Sequence, residues 1–146
     1  LTPGAATLVR TMTAHGAHCA LVSGGFTFFT SRIAKRTGFQ EDRANSLEIE
    51  GGKLTGRVIP PILGREAKLA ALRDLSASRG QPTSAALAVG DGANDLAMIR
   101  EAGLGVAFRA KPVVAAEAAA EVNLSDLTAL LFLQGYSADD FVIGAD

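Results

Sequence analysis

The chain has one cysteine, Cys19, and no tryptophan. A single thiol cannot close an internal disulfide or build a cysteine-rich zinc site. Cys19 lies in an apolar run and reads as a small buried hydrophobe. Aromatic residues make up only 5% of the chain, so the core must come mainly from Ala, Val, Leu and Ile. Neither charge dominates: 14 basic residues stand against 15 acidic ones, for a formal net charge of −1. That balance argues against a nucleic-acid partner. No apolar run is long enough to span a membrane and no signal peptide is legible, so a cytoplasmic protein without a membrane partner is expected. The chain begins Leu1-Thr2-Pro3-Gly4 without an initiator Met, which reads as a fragment or a processed piece. Nothing in the sequence specifies an oligomeric state.

What is present is apolar and alternating. The 146 residues are 48% hydrophobic, enough for one domain over 1–146 with a substantial core. Thr2 reads as an N-cap with Pro3 at the first helical position, opening a helix to about Ala14 that His15-Gly16 ends. The run Cys19-Ala20-Leu21-Val22 reads as a strand covered on both faces, stopping at Ser23-Gly24-Gly25. A helix follows from Phe26 to about Thr37, closed by Gly38. The stretch 44–59 reads as an antiparallel hairpin about Gly51-Gly52, an excursion from a parallel sheet, and Pro60-Pro61 ends it.

The second half predicts a helix over 66–78, a strand at Leu87-Ala88-Val89 and a helix from Asn94 to Ala102 with Gly103 at its C′ position. Gly105 to Phe108 reads as a strand, Val113 to Ala120 as an alanine-rich helix, Val122 to Leu124 as an edge strand and Asp126 to Leu133 as a terminal helix. Phe132, Tyr136 and Phe141 are expected to pin the tail. Helices alternating with short apolar strands specify an α/β fold built on a parallel sheet.

The stretch that carries most chemistry is Gly90-Asp91-Gly92-Ala93-Asn94-Asp95. The glycines allow a sharp turn and a close backbone approach to a ligand. Asp91 falls at the carboxyl end of a strand, where open α/β sheets place their sites. With a helix beginning near Ala93, Asp91 and Asp95 would share one side of the turn. Two such carboxylates, completed by water and a substrate phosphate, suit Mg²⁺. The same residues also read as a surface turn whose acids cap a helix.

Ser23 offers a hydroxyl and Gly24 an unobstructed N–H ahead of a helix, a combination that suits a phosphate oxygen, although Ser-Gly-Gly is also a common turn. Lys68 lies in the first turn of its helix, against the helix dipole. It is either a solvated lysine or an ammonium aimed at a phosphate. Asn94 can donate its amide to a substrate oxygen or cap the helix. Arg65 and Arg109 read as surface residues, His15 and His18 are assigned no role, and Asp139-Asp140 reads as a solvated helix start. There is no dinucleotide fingerprint, because Asp95 replaces its third glycine, and no Walker A or G-x-S-x-G sequence.

Ser23-Gly24-Gly25-Phe26, Lys68 and Gly90-Asp91-Gly92-Ala93-Asn94-Asp95-Leu96, in that order, resemble the haloacid dehalogenase superfamily of phosphohydrolases. The resemblance covers nearly the whole chain. It implies a Rossmann-like three-layer α/β/α core, present here in part. By that resemblance Ser23 and Gly24 bind phosphate. Lys68 binds phosphate and steadies the nucleophile. Asp91 ligates Mg²⁺, Asn94 contacts the phosphate, and Asp95 supports the metal site from behind. The implied substrate is a small-molecule phosphomonoester, foremost O-phospho-L-serine. A sugar phosphatase of the same superfamily and a non-catalytic phosphate- or metal-binding module are the alternatives. One departure is large: the family's nucleophile sits in a D-x-D motif on the central strand, and this sequence contains no D-x-D and no helical cap. Phosphomonoester hydrolysis needs up to roughly 10²¹-fold acceleration. Mg²⁺ and Lys68 supply only part of that, so the chain alone is expected to be inactive.

Overall fold

The computed structural model describes residues 1–145. The chain divides into two compact units: Leu1–Leu63 together with the segment from Asp126 onward, and Gly64–Ser125. The α/β class with parallel strand pairing is what is found.

In the first unit α1 spans Ala5–Ala14 and buries Ala6, Leu8 and Val9. Thr2 does not cap it. The N-cap position belongs to Gly4, held left-handed at φ 83°, and Thr2 instead gives its carbonyl to the Ala5 N–H at 3.1 Å. A Cβ at Gly4 would stand 2.8 Å from the Thr128 backbone nitrogen, so both conformation and space call for glycine. The terminal helix is shorter than expected: α6 covers Ala129–Leu133, burying Leu130 and Leu131. The tail rings do not pin to the core as expected: Phe132 is 55% exposed and pairs with Phe141 at 5.2 Å, and Tyr136 lies 4.8 Å from the His15 ring.

Strand β1, Ala20–Phe26, runs through Ser23-Gly24-Gly25 rather than stopping there. It pairs in parallel with β2, Glu41–Glu50, as Ala20↔Glu41, Leu21↔Asp42 and Val22↔Arg43, then slips to Phe26↔Asn45. The glycines form the irregular passage that absorbs the slip, because they pack no side chain into the ladder. Helix α2, Thr27–Thr37, follows at once and ends at Gly38, left-handed at φ 101°. The hairpin is present, with β3 at Lys53–Ile59, Glu50↔Lys53 flanking the turn and both turn glycines at positive φ. Its first strand begins earlier than predicted, because β2 serves two partners. Glu41–Arg43 pairs with β1 in parallel, and Ser46–Glu50 pairs with β3 antiparallel.

The second unit is a parallel sheet in the order β4-β5-β6, formed by Leu87–Gly90, Leu104–Phe108 and Ala120–Val122. Helix α3, Ala67–Ser78, leads to β4 through a 3-10 turn at Thr83–Ala85. Helix α4 covers Leu96–Glu101 and α5 covers Pro112–Ala115. Ile99, Ala107 and Val114 form the buried centre, with Leu96 and Ala110 packed on it.

Further boundaries in this unit differ from the sequence reading. The alanine-rich run leaves the helix after Ala115, because the Ala119 N–H binds the Gly105 carbonyl at 2.9 Å and the chain enters β6. The edge strand is therefore 120–122, not 122–124. Gly103 is not a left-handed C′ residue; Ala102 leaves the helix in an extended conformation. A Cβ at Gly103 would fall 1.8 Å from the Ser84 carbonyl oxygen, so close backbone approach is what requires glycine.

Candidate functional site

Strand β4 delivers Asp91 at its carboxyl end, as its short apolar run predicts. The acidic turn then occupies five residues before α4 begins at Leu96, two positions later than expected. That delay changes how the two acids stand. Asp95 occupies the N-cap position with helical backbone, and its side chain turns back into the loop. Its Oδ2 accepts the N–H of Asp91 at 3.0 Å and of Gly92 at 3.1 Å. Its Oδ1 pairs with the Lys68 ammonium. Asp95 is 1% exposed, and the Lys68 side chain 19%.

A buried carboxylate costs several kcal/mol in desolvation unless it is paired and fully hydrogen-bonded. Here both oxygens of Asp95 are occupied, by one ammonium and two amides. It does not share an open side of the turn with Asp91, as the helix-start reading expected. Asp91 is exposed, and among the described residues its carboxylate has no hydrogen-bond or ion-pair partner. Its backbone carbonyl is held by the Lys111 N–H at 3.3 Å.

Glycines make this turn possible by absence of bulk. A Cβ at Gly90 would stand 2.4 Å from both Cβ and Cγ of Asp95. One at Gly92 would stand 2.7 Å from Oδ1 of Asn94. Asn94 is exposed beside Asp91 in the same turn.

The donor set suits one hard cation in part. Asp91 offers a free carboxylate and Asn94 an amide oxygen, and Mg²⁺ commonly takes one or two carboxylates and leaves its other positions to water and phosphate. Asp95 is not available, because Lys68 and two amides occupy it. Among the described residues no three His, Cys, Asp or Glu side chains gather in a metal-binding group. Asp91 is therefore the one carboxylate in this turn fitted to hold Mg²⁺.

In the other unit, Ser23 Oγ accepts the Gly25 N–H at 3.0 Å, and the Gly24 carbonyl accepts Asn45 Nδ2 at 3.0 Å. Ser23 is half-buried and Gly24 exposed. In the second unit Lys68 and the turn carrying Asp91 and Asn94 meet through Asp95; in the first, Ser23 Oγ meets the Gly25 N–H and the Gly24 carbonyl meets Asn45. Arg109 is exposed and binds the Ser125 carbonyl at 3.3 Å, and Arg65 is exposed, in agreement with surface roles. Sequence reasoning missed Asn45, which is 6% exposed in β2. Asn is depleted in strands, and one placed next to the run Ser46-Leu47 was the available signal. No described helix is long and apolar enough to cross a membrane.

A phosphoserine phosphatase of Streptomyces coelicolor is 47% identical over 140 residues, covering 96% of this chain and 34% of that protein. The unliganded crystal structure of a probable phosphoserine phosphatase from Vibrio cholerae superposes with a TM-score of 0.84 at 38% identity, covering 94% of this chain and 45% of that one. A substrate-bound phosphoserine phosphatase superposes with a TM-score of 0.82 at 36% identity, covering 90% of this chain and 63% of that one. The chain spans about a third of the Streptomyces protein and less than two thirds of either solved chain. The family model for haloacid dehalogenase-like hydrolases matches residues 1–100. With its glycine-hinged Asp91 turn braced by Lys68, the chain belongs to the haloacid dehalogenase-like hydrolase family.

Proposed function

We propose that this chain carries the phosphate- and cation-binding part of a phosphomonoester hydrolase acting on O-phospho-L-serine. One observation carries the reading. Asp95 is buried and fully occupied, so it fixes Lys68 to the turn that carries Asp91, whose carboxylate has no ion-pair or hydrogen-bond partner among the described residues. An ammonium and an unpaired carboxylate at one strand end suit a substrate phosphate that brings a divalent cation with it. The sequence similarity to phosphoserine phosphatases supports the substrate.

Each residue then has a task. The Lys68 ammonium faces the phosphoryl oxygens and offsets the charge that gathers on them. Asp95 is a positioning residue, because it holds Lys68 and the turn amides. Asn94 donates its amide hydrogens to a phosphate oxygen. Ser23 donates its hydroxyl and Gly24 its N–H. Asp91 would hold Mg²⁺, which supplies charge neutralisation at the phosphate when bound.

The nucleophile is an aspartate of a D-x-D motif, which this sequence does not contain. That carboxylate attacks phosphorus, the bond to the serine oxygen breaks, and the departing alkoxide takes a proton from the second aspartate of the motif. Water then cleaves the acyl phosphate, releasing phosphate and restoring the carboxylate. The purified 146-residue chain is accordingly inactive by itself.

The test is phosphate release by the full-length protein that contains this chain, over a panel of phosphomonoesters including sugar phosphates. Phosphoserine is expected to give the highest kcat/KM. Removing the charge that meets the developing oxyanion, by Lys68→Ala, is expected to lower kcat by about 10³-fold. A protein that releases no phosphate from any ester would overturn the proposal. A preference for sugar phosphates would leave the family assignment and remove the substrate.

A further inference from the structure

We infer that Asn45 is a positioning residue for the Ser23 hydroxyl, acting through the single peptide that joins Gly24 to Gly25. The inference rests on the reading of Ser23 as a phosphate ligand. A peptide plane has a C=O at one end and an N–H pointing the opposite way, so fixing one end aims the other. Here both ends are held. Asn45 Nδ2 donates to the Gly24 carbonyl at 3.0 Å, and the Gly25 N–H donates to Ser23 Oγ at 3.0 Å.

The consequence falls on the hydroxyl. A serine Oγ has one proton and two lone pairs. The Gly25 N–H occupies a lone pair on one side, so the O–H proton is left to point elsewhere, free for an anion. Without Asn45 the Gly24–Gly25 peptide has no fixed orientation beyond its own glycine backbone, which is the least restricted there is. A rotated peptide would withdraw its N–H from Ser23 or compete for the same anion.

Asn45 is itself immobilised. Its Oδ1 accepts the Leu63 N–H at 2.7 Å, and its Nδ2 also reaches the Leu63 carbonyl at 3.3 Å. It is 6% exposed, so these bonds are shielded from water. One side chain therefore ties the irregular passage of β1 to the segment that follows the hairpin. Gly25 completes the device: a Cβ there would stand 3.2 Å from Ser23 Oγ, so a larger residue would press on the hydroxyl the peptide orients.

The discriminating variant is Asn45→Asp, in the full-length protein that contains this chain. It keeps an acceptor for the Leu63 N–H and removes the donor to Gly24. The readout is inhibition by inorganic phosphate, together with KM and kcat for phosphoserine. Phosphate affinity and KM are each expected to weaken about tenfold, the worth of one well-aimed hydrogen bond to a charged group, while kcat falls less. In a Ser23→Ala background the same substitution is expected to cost less than about twofold, because the group it positions is gone. Unchanged phosphate affinity, or the same tenfold loss in the Ser23→Ala background, would overturn the inference and leave the hydrolase reading intact.

An unmodified protein that neither binds phosphate nor hydrolyses phosphoserine would remove both. Should Asn45→Asp fail to fold, Gly25→Ala tests the same peptide from its other end. Its phosphate affinity is expected to fall at least about fivefold, and to become insensitive to loss of the Ser23 hydroxyl. A Gly25→Ala protein that binds phosphate as the unmodified protein does would refute the role.

Discussion

Lys68→Met is the perturbation with the clearest expected consequence. It removes the ammonium and leaves the Asp95 carboxylate, 1% exposed, with two amide donors and no opposite charge. Breaking a buried ion pair from one side costs about 3–5 kcal/mol. The two amides remain, so the lower end of that range applies. The reverse change is cheaper. In Asp95→Asn, the amide oxygen can still accept the Asp91 and Gly92 N–H groups, and the Lys68 side chain, already 19% exposed, can reach water. About 1–2 kcal/mol is expected, the worth of a charge-assisted hydrogen bond. The double variant has no buried charge left to strand, so it should be no less stable than Lys68→Met alone. Urea unfolding of the four proteins measures all three values. With a slope near 2 kcal/mol per molar, Lys68→Met should lower the midpoint by about 1.5 M. Additive single effects, or a Lys68→Met midpoint equal to the unmodified protein's, would refute the reading of Asp95 as a buried, paired carboxylate.

Other outcomes follow from the same geometry. Gly90→Ala would place a methyl 2.4 Å from the Asp95 side chain, so the carboxylate must move off its amides. A loss of at least about 2 kcal/mol is expected by thermal unfolding, and a neutral substitution would contradict the packing. Gly103→Ala would meet the Ser84 carbonyl at 1.8 Å and should destabilise by a similar amount, although its backbone is not left-handed. Glu41 is held below the usual carboxylate range, first by its hydrogen bond from Arg43 and further by the charge of Arg43 and by His18, 3.5 Å away. A depressed folded-state pKa stabilises the fold above the unfolded value and loses that contribution as pH falls through the folded value. Glu41→Gln should therefore cost less than about 1 kcal/mol near neutral pH, with the gap to the unmodified protein closing below about pH 4. A gap that persists or widens in acid would contradict the assignment.

Element types were more legible in the sequence than element ends, and the reason is where each signal originates. The strand at Leu87–Gly90 and the Gly51-Gly52 hairpin announce themselves locally, through an apolar run and a turn that only glycine pairs adopt readily. The end of α5 does not. The alanine-rich run 115–120 favours helix, yet a hydrogen bond from Ala119 to Gly105 draws the chain into β6, and tertiary pairing wins over local propensity. Gly103 shows the same limit, since its requirement comes from Ser84, which no helix-end rule sees.

The site followed this pattern. The order of Ser23, Lys68 and Asp91 could be read along the chain, and so could the carboxylate at a strand end. The inward turn of Asp95 could not, because it depends on Lys68, 27 residues earlier, and on a helix that starts late. Asn45 was hidden for the same cause: its partners Gly24 and Leu63 lie 21 and 18 residues away.

In the proposed function Asp91 is the carboxylate that meets a cation at the phosphate. The direct measurement is phosphate release from O-phospho-L-serine by the full-length protein as Mg²⁺ is titrated, with and without Asp91→Asn. Replacing a charged hard ligand by a neutral one should raise the Mg²⁺ concentration needed for half-maximal rate by at least about tenfold and leave Tm within about 2 °C, because Asp91 is exposed and its carboxylate is unpaired among the described residues. An Mg²⁺ dependence that Asp91→Asn does not move would contradict it.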